Sequence, residues 1–163
     1  MGVVKTLARI RVAVLEHAIT DLEKMAARRG RSPALPAHLR TGVEGEEAVC
    51  FYLMRNGYTV VARRWSAGNL PGDLDLIAWQ GPLLCFIEVK TRTARDMTPA
   101  EAAVDGHKRS ILRRLARQYV RQLPGGPVPQ IRFDIISVYL VPGEPNEFAH
   151  FENAFAWDER RRG

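Results

Sequence analysis

Two acids and a lysine lie in the most apolar part of this chain. Asp75 belongs to one strand-like run, and Glu88 and Lys90 belong to the next. If Gly81-Pro82 is a two-residue loop between these runs, Asp75 and Glu88 face each other on one side of a hairpin, about 5 Å apart at Cβ. Two carboxylates at that distance repel each other unless a cation lies between them.

A divalent cation is the natural partner for this pair of acids. Mg²⁺ binds one or two carboxylates together with water and phosphate oxygens, and Mn²⁺ accepts the same ligands. Lys90 follows Glu88 by two residues, so the strand period places its ammonium on the same face. A metal-activated water beside a lysine suits hydrolysis of a phosphodiester. The pattern therefore predicts a site made of Asp75, Glu88 and Lys90, with Mg²⁺ or Mn²⁺ held by the two acids. The alternative is a structural Glu88–Lys90 ion pair.

A basic helix is predicted over residues 107–122. Its Arg109, Arg113, Arg117 and Arg121 recur every four residues, while the apolar residues lie on another face. Like charges four residues apart destabilise a helix, and bound phosphate groups would offset that repulsion. A solvated basic face is the equally open alternative. The candidate nucleic-acid-binding residues are Arg92, Lys108, Arg109, Arg113 and Arg117.

The elements that must position these residues can be predicted from periodicity and turn signals. Thr41 and Glu44 fit a capping box, which predicts a helix over 41–56 that ends at Gly57. Strands are predicted over 58–64, 73–79, 83–90 and 131–141, and helices over 99–104 and 107–122. The residues after 141 are predicted to form no further element, and the end of the chain to fray. This order predicts an α/β fold, with a central mixed β-sheet flanked by helices.

An N-terminal appendage precedes this domain. Residues 4–29 have the spacing of an amphipathic helix, and a Pro-containing linker follows Gly30. The first 40 residues hold eight Lys and Arg against three Asp and Glu, whereas the remainder is nearly balanced. We therefore predict a basic N-terminal helix and linker over 1–40, a main domain over 41–157 and a charged tail over 158–163. Packing against its own domain or a second copy is the favoured role of the helix.

Composition excludes several other classes of protein. The chain is 46% hydrophobic and 26% charged, as is usual for globular domains and not for disordered ones. Its two cysteines, Cys50 and Cys85, exclude a disulfide framework and suit a reducing compartment. The longest uncharged apolar run, residues 76–87, is shorter than the roughly 20 residues that a membrane span needs. We expect a cytoplasmic protein with no membrane span.

Several motifs, in the same order along the chain, resemble the YraN-like family of bacterial proteins. The resemblance covers about residues 41–139. Gly42-x-x-x-Glu46 and Gly57-Tyr58 are similar to the family's opening helix and turn. Its later segments resemble Gly72-Asp-Leu-Asp75, Glu88-Val-Lys90, Pro99 to Val104 with Lys108, and Arg132-Phe-Asp134.

The resemblance implies a restriction endonuclease-like core, similar also to Holliday-junction resolvases and tRNA endonucleases. It places Asp75, Glu88 and Lys90 at nuclease-type positions and adds Glu46 as a fourth catalytic residue. The helical wheel alone cannot choose between Glu46 and Glu47. The implied function is a divalent-metal-dependent endonuclease on DNA or RNA, with DNA favoured and branched DNA one candidate substrate. No small-molecule cofactor is expected, and a homodimer is compatible with this class of nuclease. The alternative is a non-catalytic module that binds nucleic acid or docks a partner on the same fold.

Overall fold

The computed structural model describes residues 37–95 and 104–157. The predicted helix over 4–29, almost all of the predicted helix over 99–104, and the tail from 158 lie outside the described residues. The elements are α1 Ala37–Arg55, β1 Thr59–Trp65, β2 Leu74–Gln80, β3 Leu83–Arg92, α2 Gly106–Val120, β4 Gln130–Tyr139 and β5 Glu147–Phe155. Neither of the two described helices combines the length and apolar character needed to cross a bilayer.

One five-stranded sheet organises the domain, in the order β1-β2-β3-β4-β5. The β3–β4 pair is parallel, whereas the other three pairs are antiparallel. A parallel pair needs a crossover connection, and α2 lies in the segment that joins β3 to β4. The predicted α/β fold with a central mixed β-sheet flanked by helices is therefore confirmed.

Apolar residues cover both faces of the central strands. Phe86 and Phe133 pack with Leu115 of α2 on one face. Ile87 packs with Val49 of α1 on the other. Because successive residues of a strand point to opposite faces, β3 can contribute to both layers only if nearly every residue is apolar. This explains why Glu88, in the middle of the strand, stands out in the sequence.

The β2–β3 hairpin has the predicted loop and register. Gln80 pairs with Leu83, which leaves Gly81-Pro82 as the two loop residues, and Gly81 has a positive φ of 58°. The same register continues to the pair Leu76–Ile87. The next position along the ladder brings Asp75 beside Glu88, as the hairpin prediction requires.

Two predictions were wrong: the start of the first helix and the absence of a further element after residue 141. Helix α1 begins at Ala37, so Thr41 lies inside the helix and cannot cap its N-terminus. A capping box marks a helix start only where the preceding residues do not continue the helix, and Leu39 and Arg40 favour helix. The segment after residue 141 contains β5, which pairs antiparallel with β4. A register shift between Phe133 and Ile135 interrupts this pairing, and such a shift obscures the alternation by which a strand is predicted.

Candidate functional site

All four predicted catalytic residues line a single cleft. Its volume is about 520 Å³, and it opens between the N-terminal half of α1 and the ends of β2 and β3. Glu46 comes from α1, Asp75 from β2, and Glu88 and Lys90 from β3. The remaining lining residues are Thr41, Gly42, Val89, Thr91 and Thr93. The predicted residues thus converge, although they span 45 positions of sequence.

The carboxylate of Asp75 is held by the backbone of the neighbouring strand. Its Oδ2 accepts a hydrogen bond from the N–H of Val89 at 2.7 Å. Burial, followed by the negative charge of Glu88, raises the pKa of Asp75 from 3.8 to about 7, although the Val89 N–H and Lys108 act in the opposite direction. The charge of Glu46 also raises this pKa. The carboxylate of Asp75 is therefore poised to gain or lose a proton near neutral pH.

Glu88 is the buried acid at the centre of the cleft, with only 4% of its surface exposed. Lys90 donates a hydrogen bond to Oε1 at 2.9 Å, and the Lys108 ammonium lies 3.3 Å from Oε2. Oε2 is buried and receives no hydrogen bond within the described part of the chain. Buried carboxylate oxygens are normally hydrogen-bonded, so this atom retains capacity for another positive partner.

Lys108 was predicted as a nucleic-acid-binding residue of the basic helix, and the structure places it beside Glu88. Asp105 caps the N-terminus of α2 by accepting a hydrogen bond from the Lys108 backbone N–H at 2.8 Å. This cap begins the helix where the side chain of Lys108 can reach β3. The sequence pattern does not predict the contact between Lys108 and Glu88, because that contact depends on how α2 packs across the sheet.

Glu46 is held by a residue that the sequence did not single out. Arg64 binds it through two nitrogens, with Nε 2.6 Å from Oε2 and Nη2 2.9 Å from Oε1. Arg64 also has a positive φ of 47°, which is uncommon for a residue other than glycine. Gly45 lets α1 approach β3 closely, since a Cβ at that position would collide with the side chain of Thr91. The pairing with Arg64 and this close approach fix Glu46, rather than Glu47, at the cleft.

A divalent cation suits the donor set of Asp75 and Glu88. Both are carboxylates, and Glu88 carries a buried oxygen without a hydrogen bond. Burial and, after it, repulsion from Glu88 raise the pKa of Asp75. A cation between them would relieve that repulsion. Within residues 37–95 and 104–157, no group of three or more His, Cys, Asp and Glu side chains is arranged as a complete metal site. The two acids would therefore depend on water or substrate oxygens for the remaining ligands, as Mg²⁺ commonly does.

The four predicted catalytic residues of the cleft all fall within one known family profile. The profile described as "Uncharacterised protein family UPF0102" matches residues 45–138. This chain belongs to the UPF0102 family. The predicted resemblance to the YraN-like family is thereby confirmed, because this is the same family.

UPF0102 proteins of several bacteria are similar to this chain over most of their length. One from Koribacter versatilis is 50% identical over 123 residues, which cover 76% of this chain and 84% of that protein. One from Nocardia farcinica is 41% identical over 130 residues, which cover 79% of this chain and 94% of that protein. One from Solibacter usitatus is 46% identical over 96 residues, which cover 59% of this chain and 72% of that protein.

The predicted arginine stripe of this UPF0102 chain packs against its own C-terminal strand. The guanidinium groups of Arg109 and Arg113 lie 5.6 and 5.4 Å from the ring centre of Phe155. Arg117 lies 5.4 Å from the ring of Trp157. Arg113 also donates a hydrogen bond from Nε to the carbonyl of Ala156 at 2.9 Å, and it is only 8% exposed. The stripe therefore contributes to the anchoring of β5, a role that the sequence analysis did not consider.

Arg92, the remaining predicted nucleic-acid-binding residue, is the last residue of β3 and is half-buried. Its carbonyl accepts a hydrogen bond from the Leu140 N–H at 2.8 Å. That bond continues the pairing of β3 with the strand beside it. Whether Arg92 contacts nucleic acid stays a prediction.

Proposed function

We propose that this UPF0102 domain hydrolyses phosphodiester bonds of nucleic acid, DNA in particular, with a divalent cation held by Asp75 and Glu88. The observation that supports the proposal is the buried pair of acids on adjacent strands, with two lysines at Glu88 and an open cleft in front. Buried like charges are expensive to maintain and persist where a site uses them. A purely structural pair would be cheaper as two apolar residues.

Each charged residue at the cleft has a role in the proposed chemistry. Bound between the acids, Mg²⁺ or Mn²⁺ would lower the pKa of a water and offset phosphate charge. Asp75 and Glu88 supply the negative charge that holds the cation. Lys90, which donates a hydrogen bond to Glu88, would orient the attacking water and stabilise charge that develops on the phosphoryl oxygens. Lys108 adds a second positive charge from the helix side.

Glu46 acts from the opposite wall of the cleft. Its negative charge raises the pKa of Asp75, so it lies close enough to influence the cation. Since Arg64 binds both of its oxygens, Glu46 would shape the site electrostatically rather than serve as a direct ligand. Arg64 is about half exposed, so its guanidinium is also accessible to a substrate phosphate.

A non-catalytic binding module is the second candidate function. It is favoured by the pairing of the acids: Glu88 contacts two lysines and Glu46 is bound by Arg64. In that case the acids would be structural, and the domain would bind nucleic acid or a partner without cutting it. The two candidates differ in what removal of Lys90 should do.

A Lys90→Ala variant tests the proposal with two measurements. We expect Mn²⁺-dependent cleavage of a panel of single-stranded, duplex, flapped and branched DNA, with matched RNA, to fall at least about a hundredfold. The melting temperature should change little, because Lys108 still contacts Glu88. An Arg95→Ala variant, which removes an exposed arginine paired with Glu144 and Glu147, is the matched control and should cut like the parent.

Other outcomes would favour the second candidate. Unchanged cleavage with a clearly lower melting temperature would make Lys90 a structural partner of Glu88. A parent protein that binds the panel but cuts none of it with either metal would leave the non-catalytic module ahead. Cleavage that persists in an Asp75→Asn variant would point to a contaminating nuclease.

A further inference from the structure

The C-terminal half of α2 carries three exposed arginines, of which two belong to the predicted stripe and the third lies beside it. Arg114 and Arg117 are exposed on the helix, and Arg121 is exposed at its C-cap. Their spacing of three and then four residues places them on one side of the helix. Together with Gln118 and with Asn69 and Leu70 of the β1–β2 loop, they line a groove of about 260 Å³.

Two of the three arginines in this groove have a charge that no described residue neutralises. Arg114 and Arg121 form no ion pair with any residue in the described ranges. No Asp or Glu occurs in the sequence between residues 106 and 133. Positive side chains held in a concave surface concentrate the local field and attract anions. This contrasts with Arg113, whose side chain is buried against the C-terminal strand.

The groove is connected to the cleft through two structural elements. The β1–β2 loop, which supplies Asn69 and Leu70, also contains Gly72, where a Cβ would lie only 3.2 Å from the side chain of Ile111 of α2. Asp75 follows three residues after Gly72. Helix α2 is the second element, because its residue Lys108 forms an ion pair with Glu88 in the cleft. At 1.5 Å per residue, Arg114 and Arg121 lie about 9 and 20 Å further along the helix than Lys108. These two distances correspond to about three and about six nucleotides of one strand, at a rise of 3.4 Å per nucleotide.

We propose that this groove binds the phosphates of a nucleic-acid strand that extends from the cleft, an inference that rests on the proposed function. The row from Arg114 to Arg121 spans about 10 Å, which fits about three successive phosphates. Asn69 and Gln118 add amide groups that can hydrogen-bond to phosphate and sugar oxygens. Among the described residues, Leu70 is the one apolar residue that lines the groove, and a single leucine offers little of the apolar contact area that membrane binding requires.

The test is equilibrium binding of the full chain to fluorescein-labelled single-stranded and duplex 20-mers in EDTA, where cleavage is not needed. In an Arg114→Ala/Arg121→Ala variant, we expect the slope of log K against log salt concentration to become shallower by about 1.4 to 1.8. Because the two lines converge near 1 M salt, the affinity at 0.1 M salt should fall about 25- to 60-fold. The matched control is Arg55→Ala/Arg95→Ala, which removes the same charge elsewhere and should keep the parental slope.

Each result bears on the inference separately from the proposed function. An Arg114→Lys/Arg121→Lys variant that keeps the slope would support phosphate binding by charge. A double alanine variant with the parental slope and affinity would refute phosphate binding by the groove, even if the protein cuts DNA. Loss of binding to anionic vesicles or to an acidic peptide, with nucleic-acid binding unchanged, would also overturn it. Salt-dependent binding that requires the groove, in a protein that cuts nothing, would support the inference while the cleavage proposal failed.

Discussion

Replacing Asp75 with asparagine is expected to stabilise the metal-free domain at pH 8 and to have little effect at pH 4. Asparagine keeps an oxygen that can accept the hydrogen bond from the Val89 N–H, but it carries no charge. The substitution therefore removes the repulsion with Glu88 without leaving the backbone N–H unpaired. Its effect should report directly on how unfavourable the ionised form of Asp75 is.

The magnitude follows from the raised pKa of Asp75. Because its pKa rises from 3.8 to about 7 on folding, the folded state holds more protons than the unfolded state between these values. The stability of the parent therefore falls as the pH rises through that window. A difference of about 3 pKa units corresponds to about 4 kcal/mol, which is an upper limit for the gain from asparagine at pH 8. At pH 4 the folded state is almost fully protonated and the unfolded state is about 40% protonated, so the gain should be only about 0.6 kcal/mol.

The assay is urea unfolding of parent and variant in EDTA at several pH values from 4 to 8. The control is Glu147→Gln, which removes an exposed carboxylate whose pKa is lowered by Arg95. That sign is opposite, so the control should show no gain in stability at pH 8. Addition of Mn²⁺ at pH 8 should then stabilise the parent but not Asp75→Asn, because the cation needs the carboxylate.

A parallel pair of stability curves for the parent and Asp75→Asn would refute this reasoning. It would mean that the acid is not desolvated or that Lys108 compensates it fully. A loss of stability at pH 8 would instead show that the carboxylate is a net favourable partner of the lysines. In either case the acid pair would not be strained in the folded domain, and metal binding by Asp75 and Glu88 would lose this support.

Three further variants probe the close approach of α1 to β3 and the buried ion pair of Asp134. Gly45→Ala should destabilise the domain by about 1–3 kcal/mol in urea unfolding, because the new methyl group collides with Thr91. Gly42→Ala, where nothing lies within 4 Å, should instead gain up to about 1 kcal/mol, and equal effects at the two positions would contradict the close approach of α1 to β3. Asp134 is 1% exposed and accepts two hydrogen bonds from Arg132, so Asp134→Ala should lose about 3–5 kcal/mol at pH 7. Burial alone would raise the pKa of Asp134, but its hydrogen bonds with His150, Arg132 and the Asn153 N–H lower the pKa below its usual value. The parent should therefore lose the stabilisation from Asp134 as the pH falls below about 4. A difference in stability between parent and variant that is as large at pH 3 as at pH 7 would contradict this.

Local sequence determined most of the hairpin that carries the acids. A Gly-Pro loop between two apolar runs leaves one register, and the strand period of two then places Asp75, Glu88 and Lys90 on one face. These relations need only contacts between residues that are near in sequence. For the same reason, the two described helices and the first four strands could be predicted to within a few residues.

Tertiary contacts decided the remaining features of the site. The helical wheel left Glu46 and Glu47 equivalent, and the choice came from Arg64 on β1 and from the packing of α1 against Thr91. Lys108 joined Glu88 only because α2 lies across the sheet.

The basic helix illustrates the same limit for function. Its arginines look equivalent in the sequence, yet Arg113 is buried by β5 whereas Arg114, the next residue, is exposed in a groove. Strand β5 was itself not predicted, because its irregular pairing hides the alternation. The partner of a side chain on α2 depends on which distant segment of the chain packs against that face of the helix. The periodicity of the sequence carries no information about distant segments.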